Sequence, residues 1–234
     1  MSELAAGITR PRIRPQPSLR LGRSERTRAA ILDAALAFLW TQPFRSMTVN
    51  VLMENVSVSR SAFYQYFRDV HELMETLLAD LGDEILRVIK PWLEGSGDPV
   101  ELLERSLTDF VGVSRRQGPF LQALSDAAPM EARLEETWVD FLRRFDDVIT
   151  ARIEADQRLG LIPEFEARPV AVALNRANAF TVIEAFGRHP DTEPEPVLEA
   201  LQRIWITTLY GSVPTHGASR NRPGPEQAAL SSHR

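Results

Sequence analysis

Apolar residues recur along this chain at helical spacing and never alternate over the length of a strand, so the fold open to it is all-α. Ile31, Ala35 and Phe38 fall at i, i+4, i+7, and Val49, Leu52, Met53 and Val56 at i, i+3, i+4, i+7. Leu73, Leu77, Leu81, Ile85 and Val88 or Ile89 carry a stripe through a longer segment. Breaks fall at Pro43, at Pro91 with Gly95 and Gly97, at Gly118, at Pro129, at Gly160 with Pro163, and at His189-Pro190. The pattern predicts about nine helices, at about 25–40, 48–56, 59–67, 70–93, 99–115, 118–127, 130–158, 166–187 and 194–210. Ser24 and Ser59 are placed to cap the first and third, and Asp69 with Glu72 forms a capping box at the head of the fourth.

The 234 residues suffice for one large or two unequal domains with a substantial core. At 44% hydrophobic and 25% charged, the composition excludes a mostly disordered chain. No apolar run reaches the roughly 18 residues a membrane span needs, and the N-terminus lacks an apolar signal region. The absence of cysteine excludes disulfides, thiolate metal sites and a cysteine nucleophile, and a cytoplasmic protein with no membrane partner is the expectation. The net charge of −5 conceals an asymmetry. Residues 1–70 hold ten arginines against five acids, whereas the remainder carries seventeen basic and twenty-seven acidic residues. A basic third on an acidic body suits a nucleic-acid binder joined to a module that does not touch phosphate. Residues 1–23, with Pro11, Pro15 and Pro17 between arginines, read as a disordered basic arm, and residues 211–234 as a disordered tail.

Within the basic third, two short helices joined by a tight turn have the build of a helix-turn-helix, whose second helix enters the major groove. Ala62, Phe63, Tyr66 and Phe67 form the anchoring side of that second helix, and Arg60, Ser61, Tyr64 and Gln65 the polar side. Arg and Gln suit bidentate contacts to guanine and adenine, and Ser and Tyr hydroxyls suit phosphates. An ordinary amphipathic helix with a solvated polar face has the same pattern.

The stretch from Thr48 to Leu73, TVNVLMENVSVSRSAFYQYFRDVHEL, closely resembles the signature of the TetR family of bacterial transcription regulators, and with the first helix the resemblance covers about 50 residues. It implies that Ser59, Arg60, Ser61, Tyr64 and Gln65 lie on the DNA-reading helix and that Thr48 opens the preceding helix near a phosphate. Two departures stand out: Val56 and Ser57 occupy the turn where the family prefers Ala-Gly, implying a strained or rearranged turn, and Val70 replaces a usual lysine. The arginine-rich arm would compensate by reaching the adjacent groove. NRANAFTVIEAF at 175–186 and RIWITTLYG at 203–211 look like the last two helices of a mycobacterial subgroup of the family. This implies a homodimer held by those helices, with a narrow lipophilic tunnel in each subunit. The expected organisation is a DNA-binding domain at 24–70 and a ligand-binding and dimerisation domain at 71–210.

The body carries more large apolar residues than helix packing obviously requires. Leu103, Leu107, Phe110, Phe120, Trp138, Phe141 and Phe145 are candidate ligand contacts, although such stripes also build ordinary cores. Asn175 and Asn178, at i, i+3 in an apolar helix, are candidates to orient a ligand, as the subgroup resemblance also implies. Trp205, Thr208 and Leu209 are candidates for a dimer patch on the final helix. No nucleophile elbow, phosphate loop or dinucleotide fingerprint occurs, and His71, His189, His216 and His233 lack a spaced second ligand, so neither cofactor nor metal is expected. The adjacent pairs Glu135-Glu136 and Asp146-Asp147 read as solvated helix faces. The expected function is a TetR-type repressor that binds a palindromic operator as a dimer and is released by a small lipophilic effector. The rival is a helical carrier or enzyme without DNA binding.

Overall fold

The computed structural model describes residues 22–54, 56, 58–188 and 192–211. The basic arm up to residue 21, Ser57 in the turn, the His189-Pro190 break and the tail from residue 212 lie outside them. Among the described residues there are eight α-helices and no strand. They are α1 (Arg23–Leu39), α2 (Val49–Glu54), α3 (Arg60–Tyr66), α4 (Val70–Glu94), α5 (Pro99–Ala127), α6 (Ala132–Arg158), α7 (Ala167–Phe186) and α8 (Pro194–Tyr210).

The difference from nine is at Gly118, where the two predicted helices are one, α5. Gly118 does not stop the helix because its missing side chain serves packing. A Cβ there would stand 2.3 Å from the Phe186 carbonyl oxygen, so glycine is what lets α5 approach the end of α7. Pro119 rides within the same helix.

The caps follow local chemistry with two adjustments. Gly22 rather than Ser24 precedes α1, and the Glu25 carboxylate accepts from the Gly22 amide at 2.8 Å. Asp69 accepts from the Glu72 amide at 2.8 Å as a capping box requires, but Glu72 reaches back to the Arg68 amide instead of that of Asp69. Asp98 caps α5 by accepting from the Val100 and Glu101 amides. Gly211, at φ +77°, closes α8 in the left-handed conformation.

Helices α1, α2 and α3 pack on one another, and α1 also meets α4 and α5. Helices α2 and α3, of six and seven residues, are too short to persist in isolation, so what holds them on α1 is the burial of Leu52, Met53, Phe63 and Phe67 against Ile31, Ala35 and Leu39. Helix α5 lies at the centre of the larger body, in contact with α4, α6, α7 and α8.

Candidate functional site

Two features of the fold invite a ligand. The first is the outer face of α3. Ser59 caps this helix by accepting from the Ala62 amide at 3.2 Å, and the buried rings of Phe63 and Phe67 anchor it below. Ser59, Arg60, Ser61, Tyr64 and Gln65 are left exposed together, as the sequence predicts. The Arg60 guanidinium lies over the Tyr64 ring, 5.8 Å from its centroid, with Nη2 3.5 Å from the phenol oxygen. Ser24 of α1 meets the Tyr66 hydroxyl at 3.1 Å and ties the back of α3 to the first helix. Thr48 is exposed at the head of α2 and its hydroxyl accepts from the Val51 amide.

The second is a cavity of about 60 Å³ lined by α4 to α8. Eight of the nine predicted ligand contacts line it: Leu103, Leu107, Phe110, Trp138, Phe141, Phe145, Asn175 and Asn178. Phe120 does not. With α5 continuous, Leu103, Leu107, Phe110, Ser114 and Leu121 share a face, and Phe120 is turned about 100° from Leu121 into the surrounding core. Sequence reasoning overlooked Trp92 of α4 and Ser106 and Ser114 of α5. The serines fall on the helical period of the aromatic stripe, which was the available signal.

Asn175 is buried, and its amide donates to the Leu142 carbonyl at 2.9 Å and to Asp146 at 2.7 Å. Asp146 is therefore not on a solvated face, contrary to expectation. It is 3% exposed and also accepts two bonds from the Arg176 guanidinium, so no uncompensated charge reaches the cavity wall. Asp147, on the neighbouring face, is exposed and pairs with Arg168.

Trp205 corrects the dimer-patch expectation. It is 2% exposed, lines the cavity and donates its indole N–H to the Asn178 amide oxygen at 2.7 Å. Leu209 is buried too, because the two sit on the α8 face that packs inward, and only Thr208 of the three is at the surface. The exposed residues of this region instead include Ala173 and Phe180 on α7 and Ala200, Ile204 and Thr208 on α8.

Trp92 packs edge-on against Trp205, with ring centroids 5.5 Å apart. Its indole donates to the Tyr210 hydroxyl at 3.1 Å, and Tyr210 donates to the buried Asp156 carboxylate at 2.8 Å. Burial, reinforced by the adjacent Asp156 carboxylate, pushes the Tyr210 phenol up to about 12 and outweighs the Trp92 donor, which favours phenolate. The unfolded chain loses this proton near pH 10, so the contribution of Tyr210 to stability is fully present below about pH 10 and is lost as pH rises toward 12. An absorbance titration of the three tyrosines should show one ionising last, and Tyr210→Phe should abolish that late step. Three tyrosines titrating together would contradict the assignment.

Arg133, near the start of α6, ties that helix to the head of α4. It bonds Asp69 at 2.9 Å and Glu75 at 2.8 Å on α4, the helix that follows α3. Partial burial alone would raise the Asp69 carboxyl, but the Glu72 amide and the Arg133 guanidinium hold it below the ordinary carboxylate value.

Comparison with known proteins agrees with this layout. The family model "Bacterial regulatory proteins, tetR family" matches residues 31–77, and "Transcriptional regulator EthR, C-terminal domain" matches residues 103–211. The HTH-type transcriptional regulator EthR of Mycolicibacterium smegmatis is 26% identical over 193 residues, spanning 80% of this chain and 87% of that protein. EthR of Mycobacterium tuberculosis is 26% identical over 186 residues, spanning 78% and 86%. Among solved structures, a transcriptional regulator from Rhodococcus sp. Rha1 aligns with a TM-score of 0.63 at 21% identity, covering 82% of this chain and 100% of that one. A TetR-family regulator from Pectobacterium atrosepticum aligns with a TM-score of 0.60 at 18% identity, covering 81% and 98%. These two alignments show a shared fold.

Proposed function

Because the chain belongs to the TetR family of transcriptional regulators and carries an EthR-type C-terminal domain, we propose that it is a ligand-released repressor that binds a palindromic operator as a homodimer. The observation that carries this reading is the outer face of α3, where five polar side chains stand exposed over a buried aromatic anchor. In the major groove, Arg60 and Gln65 contact guanine and adenine edges, and Ser59, Ser61, Tyr64 and Thr48 contact phosphates. Stacking on Tyr64 limits the orientations Arg60 samples before binding.

Dimerisation uses the exposed α7 and α8 surface around Phe180, Ile204 and Thr208. Two recognition helices about 34 Å apart then read successive major grooves. A lipophilic effector in the cavity contacts α6, whose Arg133 grips the first turns of α4. Release requires the effector to bind the non-DNA-binding arrangement better, and a coupling of about 1–3 kcal/mol changes operator affinity by roughly 5- to 150-fold.

The test is a fluorescence-anisotropy titration of the protein with the DNA immediately upstream of its own gene, at two salt concentrations. Tight binding to one palindromic fragment, weakened by salt and absent from scrambled DNA, is the expected result. Equal affinity for the scrambled sequence would overturn operator recognition at that site.

A further inference from the structure

Ser106 and Ser114 both line the cavity, are 2% and 0% exposed, and have hydroxyls without a hydrogen-bond partner among the described residues. The usual refuge of a helical hydroxyl is the carbonyl four residues back. Thr76, Thr108, Thr137 and Thr150 all take it, at 2.6–2.8 Å, so the helices of this protein accommodate that bond readily. The two serines decline it. An unsatisfied hydroxyl in an apolar wall is costly, and natural proteins keep few of them.

The rest of the wall states what a partner must be. Apart from the serines and the amides of Asn175 and Asn178 it is apolar, and among the described residues no Lys, Arg, His, Asp or Glu lines it. A carboxylate or ammonium entering there would be desolvated with no counter-charge. The serines are eight residues apart on α5, which separates them by about 12 Å along the helix axis. The Asn178 oxygen is already engaged by Trp205.

On the reading that the cavity is the effector site, we propose that it takes a neutral, elongated lipophile carrying two hydrogen-bonding oxygens, hydroxyl or carbonyl, about 12 Å apart, one met by Ser106 and the other by Ser114. Between them the molecule lies against Leu107 and Phe110, facing Trp138 and Phe145. A ligand with one oxygen leaves one serine unsatisfied, and a charged ligand is rejected.

The test is calorimetry, with tryptophan fluorescence as a second readout because Trp92, Trp138 and Trp205 all line the cavity. The probes are a nine-carbon α,ω-diol, the nine-carbon primary alcohol and the nine-carbon carboxylate at neutral pH. The expected order is diol, then alcohol, then carboxylate. Ser106→Ala and Ser114→Ala should each weaken the diol roughly threefold to tenfold, with the double variant no better for the diol than for the alcohol. Both changes are small and remove a hydroxyl that the ligand-free protein leaves unpaired, so an unfolding midpoint without ligand at or above that of the parent shows that the cavity is intact. Diol and alcohol binding equally, unaffected by either serine, would overturn the two-oxygen assignment while leaving the lipophilic pocket standing. Tightest binding of the carboxylate would overturn the neutral assignment. Failure of every probe to bind the unaltered protein would overturn the pocket reading itself.

Discussion

Gly118→Ala is expected to destabilise the protein by about 2–3 kcal/mol, although alanine is the better helix former at every ordinary interior position. The methyl group would meet the Phe186 carbonyl oxygen at 2.3 Å, its carbon at 2.6 Å and Cβ at 2.8 Å. Two of these are backbone atoms, so no rotamer change relieves the clash, and α5 and α7 must separate. That movement would also disturb the cavity, which both helices line. Gly112, six residues earlier in the same helix, supplies the contrast. A Cβ there meets nothing closer than the tip of Arg116 at 3.9 Å, and Gly112→Ala should stabilise by about 0.5–1 kcal/mol. Denaturant unfolding of the two variants should give opposite signs. A Gly118→Ala protein as stable as the parent would show that the α5 and α7 contact is looser than described.

Arg60→Ala combined with Tyr64→Ala is expected to cost about 2–5 kcal/mol of operator affinity per recognition helix, enough to bring specific binding close to the level for scrambled DNA. In the proposed complex Arg60 would supply the base-edge contact, and Tyr64, which lies under that guanidinium, would offer its hydroxyl to phosphate. Both side chains are exposed, so the unfolding midpoint and probe binding in the cavity should be unchanged. A phosphate-only role would instead lower affinity for all sequences alike and flatten the salt dependence. Retained operator affinity would remove α3 from the reading role.

Much of this was legible in one dimension because helix-forming segments announce themselves by period and punctuation. The polar and aromatic sides of α3 were separable from spacing alone, since residues three and four apart share a face whatever lies beneath. The apolar stripe on α5 and α6 was legible for the same reason, and eight of the nine residues named from it and from α7 line one cavity. Where the reading went astray, a partner from a distant segment decided the outcome. Glycine followed by proline at 118–119 looks like a break, and only the carbonyl of Phe186, 68 residues away, reveals it as a contact. Trp205 looks like surface until Asn178 is found accepting its N–H, and Asp146 looks solvated until Arg176 and Asn175 are found on it.

The sequence by itself determined an all-helical chain, the family signature of its N-terminal third, and which face of each helix is apolar, because these depend on residues within a few turns of one another. Only the tertiary structure decided which apolar faces close against each other and which enclose space. It also decided which polar groups find partners and which, like Ser106 and Ser114, are left unsatisfied on a cavity wall. Satisfaction is a property of pairs brought together by packing, and no local pattern records the second member of the pair.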